Sequence, residues 1–468
     1  MGEFETGGEF KPKIIERPKP IYMDDEEPSP ALVLKLIENH RRGSLDRFKR
    51  LQAYYEGYND ILTRTKTDST KPNNRLVSGY PSYIVDIMQG YFVGKPITYT
   101  SEDKQRIEDI QDIYNYNDEQ DENSELAKMA GIKGKAYEVI YIDEDVNIRF
   151  NEIDADNVIL VFDTKINPEP NFAIVVNWGS RLDEVTSTPL TATVYTKDKI
   201  QQYIQGENGL ILQEETDHYF GQVPIIEYLN NDEAIGDFER VISLIDAYDK
   251  ANSDTANDFE EFTDAFLYLV NLFGTTDADI EQLKKDKVLL LDEDGQAGWL
   301  TKNINDTAIE NYKDRLNGDI MRFAKVPDVS DNNFSGNVSG EAMKYKLLAL
   351  DQVIATKQRK FKRALQKRIE LICIYMAIKG KQYDYRELDI NFTYNKPENE
   401  KEAVEMAIQM LGITSLSTAL SRVPGVDDVE LELAKIETEK NSYLDLDSLL
   451  PEEDPEKEGQ EGGQDEED

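Results

Sequence analysis

The chain has 468 residues, and the side chains in it that most often do chemistry are few: two histidines, His40 and His218, and one cysteine, Cys373. His40 stands beside Arg41 and Arg42 at a polar helix end, and His218 in a strand-turn region. Neither has partners at the spacing of a zinc motif, and no Cys-x-x-Cys is present. Cys373, inside the apolar run IELICIYMAI, reads as a small core residue. A single cysteine permits no disulfide within one chain, which fits a reducing compartment. Two Gly-Lys sites imitate a phosphate loop, GYFVGKP from Gly90 and GIKGKAY from Gly131. A phosphate loop needs four residues between its glycines and a Ser or Thr after the lysine to meet magnesium. The first site has three residues and then Pro96, the second has two and then Ala136, so both read as turns. The 93 carboxylates are too many for any cluster to stand out, and most form a solvated face. No catalytic residue, metal site or cofactor site is expected.

One stretch breaks the acidity. TKQRKFKRALQKR puts Lys357, Arg359, Lys360, Lys362, Arg363, Lys367 and Arg368 in twelve positions without an acid. A helix that reads DNA would gather such cations on one side. Here they are expected to cover every face except the stripe of Phe361, Leu365 and Ile369. Pairing with acidic surfaces of neighbouring subunits is the favoured reading, ahead of a solvated face or a DNA contact. Lys357, Arg359, Lys360, Arg363, Lys367 and Arg368 are the expected interface residues.

The elements that carry these residues follow from periodicity. Residues 1–24, rich in proline and charge, read as a loose arm. Two helices separated at Gly43 follow from Pro30, and a short helix is expected from Ser82 to Phe92. The acidic segment 102–128 reads as helical. Between Ala136 and Tyr228 the period becomes two, in YEVIYI, VNIRF, NVILVF, FAIVVNW, TATVYT and LILQEE, which predicts a β-rich domain. From Glu233 to Phe262 an alternating three-four spacing through Phe238, Val241, Ile245, Tyr248, Asn252, Thr255 and Phe259 predicts one helix, about 45 Å long. Its other faces carry Asp249, Asp254, Asp258, Glu260 and Glu261. KVLLLDEDGQAGWLTKN reads as a hairpin with Trp299 on its return strand, and 305–325 as a second helix that Pro327 stops. A polar stretch with two glycines comes next. The longest helical pattern then runs through Met343, Leu347, Leu350, Ile354, Phe361, Leu365, Ile369, Ile372 and Met376 to Gly380. An extended LDINFTYN, a small helical bundle and an acidic tail close the chain.

The net charge is −40 at pH 7. Such a surface repels nucleic acid and anionic membranes, which argues against a DNA-gripping protein but not against one that surrounds DNA. No run approaches the ~20 apolar residues of a membrane span, and no secretory signal opens the chain. A soluble cytosolic protein is the expectation. Apolar content of 39% is low for a globular domain, consistent with a core completed in an oligomer.

NNRLVSGYPSYIVDIMQGYFVGKPITYT, GDFERVISLIDAYDKANSDTANDFEEFTDAFL and SGEAMKYKLLALDQVIATKQRKFKRALQKRIELI resemble, in that order, the portal proteins of tailed phages, in the type found in siphophages of Gram-positive hosts. The resemblance spans about residues 30–400. It implies an α+β portal fold with a β-rich or mixed wing, a two-helix stem, a small α/β clip, a long wing helix and a helical crown. Carried onto this sequence, the wing is 25–232 and 340–394, the stem 233–262 and 305–326, and the clip 263–304. The loop 327–339 is the family's tunnel loop, 395–445 the crown and 446–468 the tail. Asp331, Asn332, Asn333, Phe334, Ser335, Gly336 and Asn337 would face DNA in a central channel, with Trp299 and Lys302 at the clip where the motor docks. Such a chain forms a homo-oligomeric ring, usually of twelve subunits, at one capsid vertex, and conducts double-stranded DNA inward and outward. Its implied partners are the terminase large subunit, the head-completion adaptor, and the major capsid and scaffolding proteins. Its place is the virion, with assembly in the host cytoplasm and no membrane.

Overall fold

The computed structural model describes residues 19–447 apart from 25–26, 67–70, 180–188, 263–265, 271–275, 277–295, 301–305, 330–339, 397–399 and 427–428. The chain divides into two compact units, Met1–Phe334 with Tyr345–Asn395, and Ser335–Lys344 with Lys396–Asp468.

The first unit is built on a six-stranded sheet. Its strands are β1 (Ile21–Tyr22), β5 (Val158–Phe162), β6 (Pro170–Asn177), β7 (Thr191–Tyr195), β8 (Lys199–Gly206) and β9 (Gly209–Asp217), in that spatial order. All pairs are antiparallel except β1 on β5, so the end of the N-terminal arm is itself a strand. Alternation along β5 shows why the period is two. Ile159 and Val161 join one core with Val33, Leu36 and Ile37 of helix α1 (Pro30–Arg42). Val158 and Leu160 face the other way, toward Phe48 of α2 (Ser44–Tyr55), Tyr137 and Ile225. The last two belong to a second, three-stranded antiparallel sheet, β10-β3-β4, formed by Ile225–Leu229, Lys135–Ile142 and Ile148–Ile153. The six-stranded sheet thus sits between α1 and that second sheet.

Helices α3 (Tyr80–Val93), α4 (Lys104–Tyr116) and α5 (Glu119–Lys133) complete the unit's first half. The expected 30-residue helix is shorter. A 3-10 turn at Glu239–Val241 precedes α6 (Ile242–Phe262), about 31 Å long. Residues 230–238 instead form a tight knot. The Asn230 and Asn231 amides both donate to the Ile235 carbonyl, and Ala234 has φ +50°. A Cβ at Gly236 would lie 2.3 Å from the Ile132 carbonyl oxygen, a closeness glycine alone tolerates. The expected hairpin is described only in part. The strand holding Trp299, β12 (Gln296–Leu300), pairs with β11 (Phe266–Val270), Leu267 opposite Trp299, while residues 287–291 lie outside the described ones. Helix α7 (Asp306–Ala324) packs on α6, burying Leu316, Ile320 and Ala324.

Helix α8 (Gly340–Ile378) has 39 residues. Leu347, Leu350, Ile354, Phe361, Leu365, Ile369, Ile372 and Met376 are all buried along it, as their spacing predicts. Phe361 meets Phe92 edge-on at 5.5 Å and Tyr228 at 4.9 Å. Strand β13 (Asp389–Asn391) then pairs with β2 (Thr98–Thr100). The second unit holds α9 (Glu400–Met410), α10 (Leu416–Leu420) and α11 (Val429–Asp447), with Ala407 and Ala419 buried.

Candidate functional site

The cations of α8 are where sequence and structure part most sharply. Arg368 is fully buried. Its Nη2 donates to Glu138 Oε1 at 2.5 Å and its Nε to Glu138 Oε2 at 3.0 Å, a bidentate pair. Its Nη1 donates to Asn123 Oδ1 at 2.8 Å and lies 3.4 Å from Glu119 Oε1. The guanidinium stacks 4.5 Å over the Phe150 ring. The Tyr228 hydroxyl donates to Glu138 Oε2 at 2.9 Å, and Tyr99 and Asn123 donate to Glu119. Burial pushes the Glu119 carboxyl up against the opposing pull of Arg368. Burial alone would lower Arg368, but Glu138, Tyr228 and Glu119 together hold it well above its ordinary value.

Lys357 is spent the same way. Its Nζ sits 2.5 Å from Asp237 Oδ2, with both side chains nearly fully buried. Asp237 also accepts from Asn230 Nδ2 at 2.8 Å, and its N–H donates to the Gly131 carbonyl at 2.7 Å. Lys360 pairs with Asp232, and Lys367 with Glu370 at 3.0 Å and with Gln222. Lys362 donates to the Ile390 carbonyl at 3.2 Å. The expectation of pairing between subunits therefore narrows. Arg368 and Lys357 point into this chain's own fold, and the cations do not avoid the apolar stripe. Arg359, which donates to Thr356 within its own helix, and Arg363 are exposed.

Helices α3 and α7 hold the base of the polar loop. The Tyr83 hydroxyl, on α3, donates to the Pro327 carbonyl and accepts from the Val329 N–H, each at 3.1 Å. Asn317 of α7 accepts from the Tyr80 hydroxyl at 2.8 Å and donates to Asp328 at 3.3 Å. A cleft of ≈ 440 Å³ opens here, lined by Tyr80, Tyr83, Tyr248, Asp314 and Asp328 among others. Its lining also holds Glu310 and Lys313, which pair at 2.8 Å, so the cleft is net acidic through Asp314 and Asp328. The loop itself, with Asp331, Asn332, Asn333, Phe334, Ser335, Gly336 and Asn337, lies outside the described residues, as does Lys302. Of Trp299 the backbone pairing alone is described.

The acidic faces of α6 have a use that periodicity did not reveal. Asp249 is fully buried and accepts from Asn59 Nδ2 at 2.6 Å and the Ser78 N–H at 2.8 Å. Ser253 accepts from the Leu76 N–H at 2.9 Å, and Asn257 from the Asn74 N–H at 2.6 Å. Asp254 pairs with Arg64 at 2.7 Å, and Glu260 accepts from Asn74 at 2.7 Å. A ladder of polar side chains thus binds Asn59, Arg64 and residues 74–78 along the helix like a strap.

The remaining candidates have structural surroundings. His40 Nε2 donates to the Asp156 carbonyl at 2.9 Å and His218 Nε2 to the Thr196 carbonyl at 3.0 Å. Burial lowers both imidazoles and pushes the Cys373 thiol up to about 11. Gly134 (φ +86°) caps α5, where a Cβ would strike the Ala234 carbonyl at 2.1 Å, and the following Lys135 donates to Tyr137. Among the described residues no group of three or more His, Cys, Asp or Glu could hold a metal ion, and no helix is long and apolar enough to cross a membrane.

A family model described as phage portal protein, SPP1 Gp6-like, matches residues 34–444. The portal protein of Bacillus phage SPP1 is 28% identical over 465 residues, covering 93% of this chain and 91% of that protein. The portal protein of Clostridium phage phiCD119 is 24% identical over 428 residues, covering 84% and 93%.

Proposed function

The chain belongs to the SPP1 Gp6-like phage portal protein family, and from that premise we propose that its copies close into a ring at one capsid vertex. Double-stranded DNA passes through the ring during packaging and again on ejection. Residues 263–304 dock the terminase large subunit and later the head-completion adaptor, and the loop 327–339 reaches the channel. The observation that carries this reading is the family match over residues 34–444, a range that takes in α6, α7, residues 327–339 and α8. The physics agrees. A basic lining would neutralise phosphates and bind with a log–log salt slope of about −0.9 for each. A chain of net charge −40 disfavours such a track, and a neutral or acidic lining would let DNA slide. Tyr83 anchors the base of the loop, and Gly336 in its sequence is a residue that tolerates backbone shapes others resist.

Deletion of residues 332–337 tests it. Rings with a central hole should form as in the parent, seen by negative-stain electron microscopy, while the yield of packaged DNA falls. Intact rings with parental packaging would leave an acidic scaffold without DNA contact as the better description. Loss of rings would place the loop in a subunit interface.

A further inference from the structure

The six-stranded sheet has two unlike edges. One is closed by the arm, as β1 lies parallel on β5 with Ile21 opposite Val161. The other is β9, which among the described residues is bonded to β8 alone. After Leu210, every residue of β9 through Asp217 is exposed, whichever face its side chain takes. Ile211 and Leu212, 56% and 46% exposed, are consecutive and so stand on opposite faces. An edge that is long, open and partly apolar is a template for another strand. Its acids are Glu214, Glu215 and Asp217, of which Glu215 is held by Lys199 at 3.0 Å and Gln201 at 2.8 Å.

The chain carries a matching segment. Residues 11–19, KPKIIERPK, hold Lys11, Lys13, Arg17 and Lys19 against one acid, in a chain of net charge −40. Pro12 and Pro18 bracket KIIER, five residues that keep every N–H a ladder needs. With Ile14 or Ile15 set beside Ile211, either strand direction brings Arg17 or Lys13 close to Glu214. A copy's own arm would need its whole extended length to make this contact. It leaves the sheet at β1, five strand spacings or about 24 Å from β9. Ile14 is seven residues from Ile21, a fully extended reach of about 25 Å. That straight path crosses sheet faces already covered by α1 and by the Phe48 cluster.

We infer that residues 13–17 of one copy add as a strand to the β9 edge of the next, so that each arm ties the β1 side of one sheet to the β9 side of its neighbour. Contact of one edge with the opposite edge is heterologous, the kind of contact whose repetition gives a ring where its rotation closes and a filament where it does not. The inference rests on the ring reading above. Rings of an Ile14→Cys/Ile211→Cys variant, and of Ile14→Cys/Leu212→Cys for the opposite strand direction, are oxidised and run on a non-reducing denaturing gel. Cβ atoms paired across strands fall within disulfide range. One of the two should give a ladder of cross-linked multiples that reductant collapses, and the parent, whose Cys373 is buried, should give none. Rings in the micrographs with only monomer on both gels overturn the inference and leave the ring intact. A faster-running monomer shows the arm folded on its own sheet and overturns it too. A ladder without rings supports strand exchange while removing the ring reading, and the absence of both removes both.

Discussion

Arg368 decides more at the level of one residue than any other side chain here. A buried guanidinium loses its hydration, and its carboxylate partners repay that loss only when geometry is good. Here Glu138 binds it in two places and Asn123 in a third, with Phe150 beneath. Replacement of such a pair by apolar groups is often neutral, but removal of one partner strands the other. Arg368→Met should therefore cost roughly 3–5 kcal/mol of stability, read from the shift in urea midpoint of the monomer. Adding Glu138→Gln should recover part of that loss, because the stranded charge is gone. A single variant as stable as the parent would show that the pair carries nothing. The sequence held a sign of this burial. At about 100° per residue, Arg368 and Lys357 fall within roughly 40° of Phe361, inside the apolar stripe. The expectation that the cations cover every face except the stripe gave these two the wrong angle.

At the level of the element, α6 shows a helix stabilised by a polar face. Asp249, Ser253 and Asn257 recur every four residues and are all buried, with backbone N–H groups of the strap as their partners. Asp249→Ala would leave the Asn59 amide and the Ser78 N–H without an acceptor, at about 1–3 kcal/mol each. Hydrogen exchange should then quicken at Leu76 and Ser78 while the amides of β6 keep their protection. Equal protection across the strap in parent and variant would mean that the ladder is not what holds it. Elements with local causes were legible in sequence. Period-two runs gave most of the strands and a three-four stripe gave α8. Segments fixed by distant partners were not legible. The knot at 230–238 depends on the close approach of Gly236 to Ile132, and β8 and β10 alternate too weakly to stand alone. Of the candidate site, the base of the loop depends on tyrosines of α3 about 240 residues away, which no local window contains.

The whole molecule carries a charge of −40, and any ring of such chains must bring like charges together. Most of the cations between Lys357 and Arg368 are already engaged within the chain, and Arg359 and Arg363, one helical turn apart, are the exposed pair of that stretch. If they meet a neighbour's carboxylates, Arg359→Glu/Arg363→Glu should lower the fraction of chains in rings at low salt. The deficit should shrink as salt rises, since the screening length falls from about 10 Å at 0.1 M to about 3 Å at 1 M. The double reversal also makes every copy more acidic, which alone weakens assembly. Reversal of Lys165 and Arg386, both exposed and each beside a carboxylate of its own chain, changes the net charge equally and serves as the control. A ring deficit specific to the α8 pair, measured by light scattering across the salt series, places the interface on that face. Equal deficits in the two variants would reduce the effect to bulk repulsion, and rings unchanged at low salt would move the contact off α8 altogether.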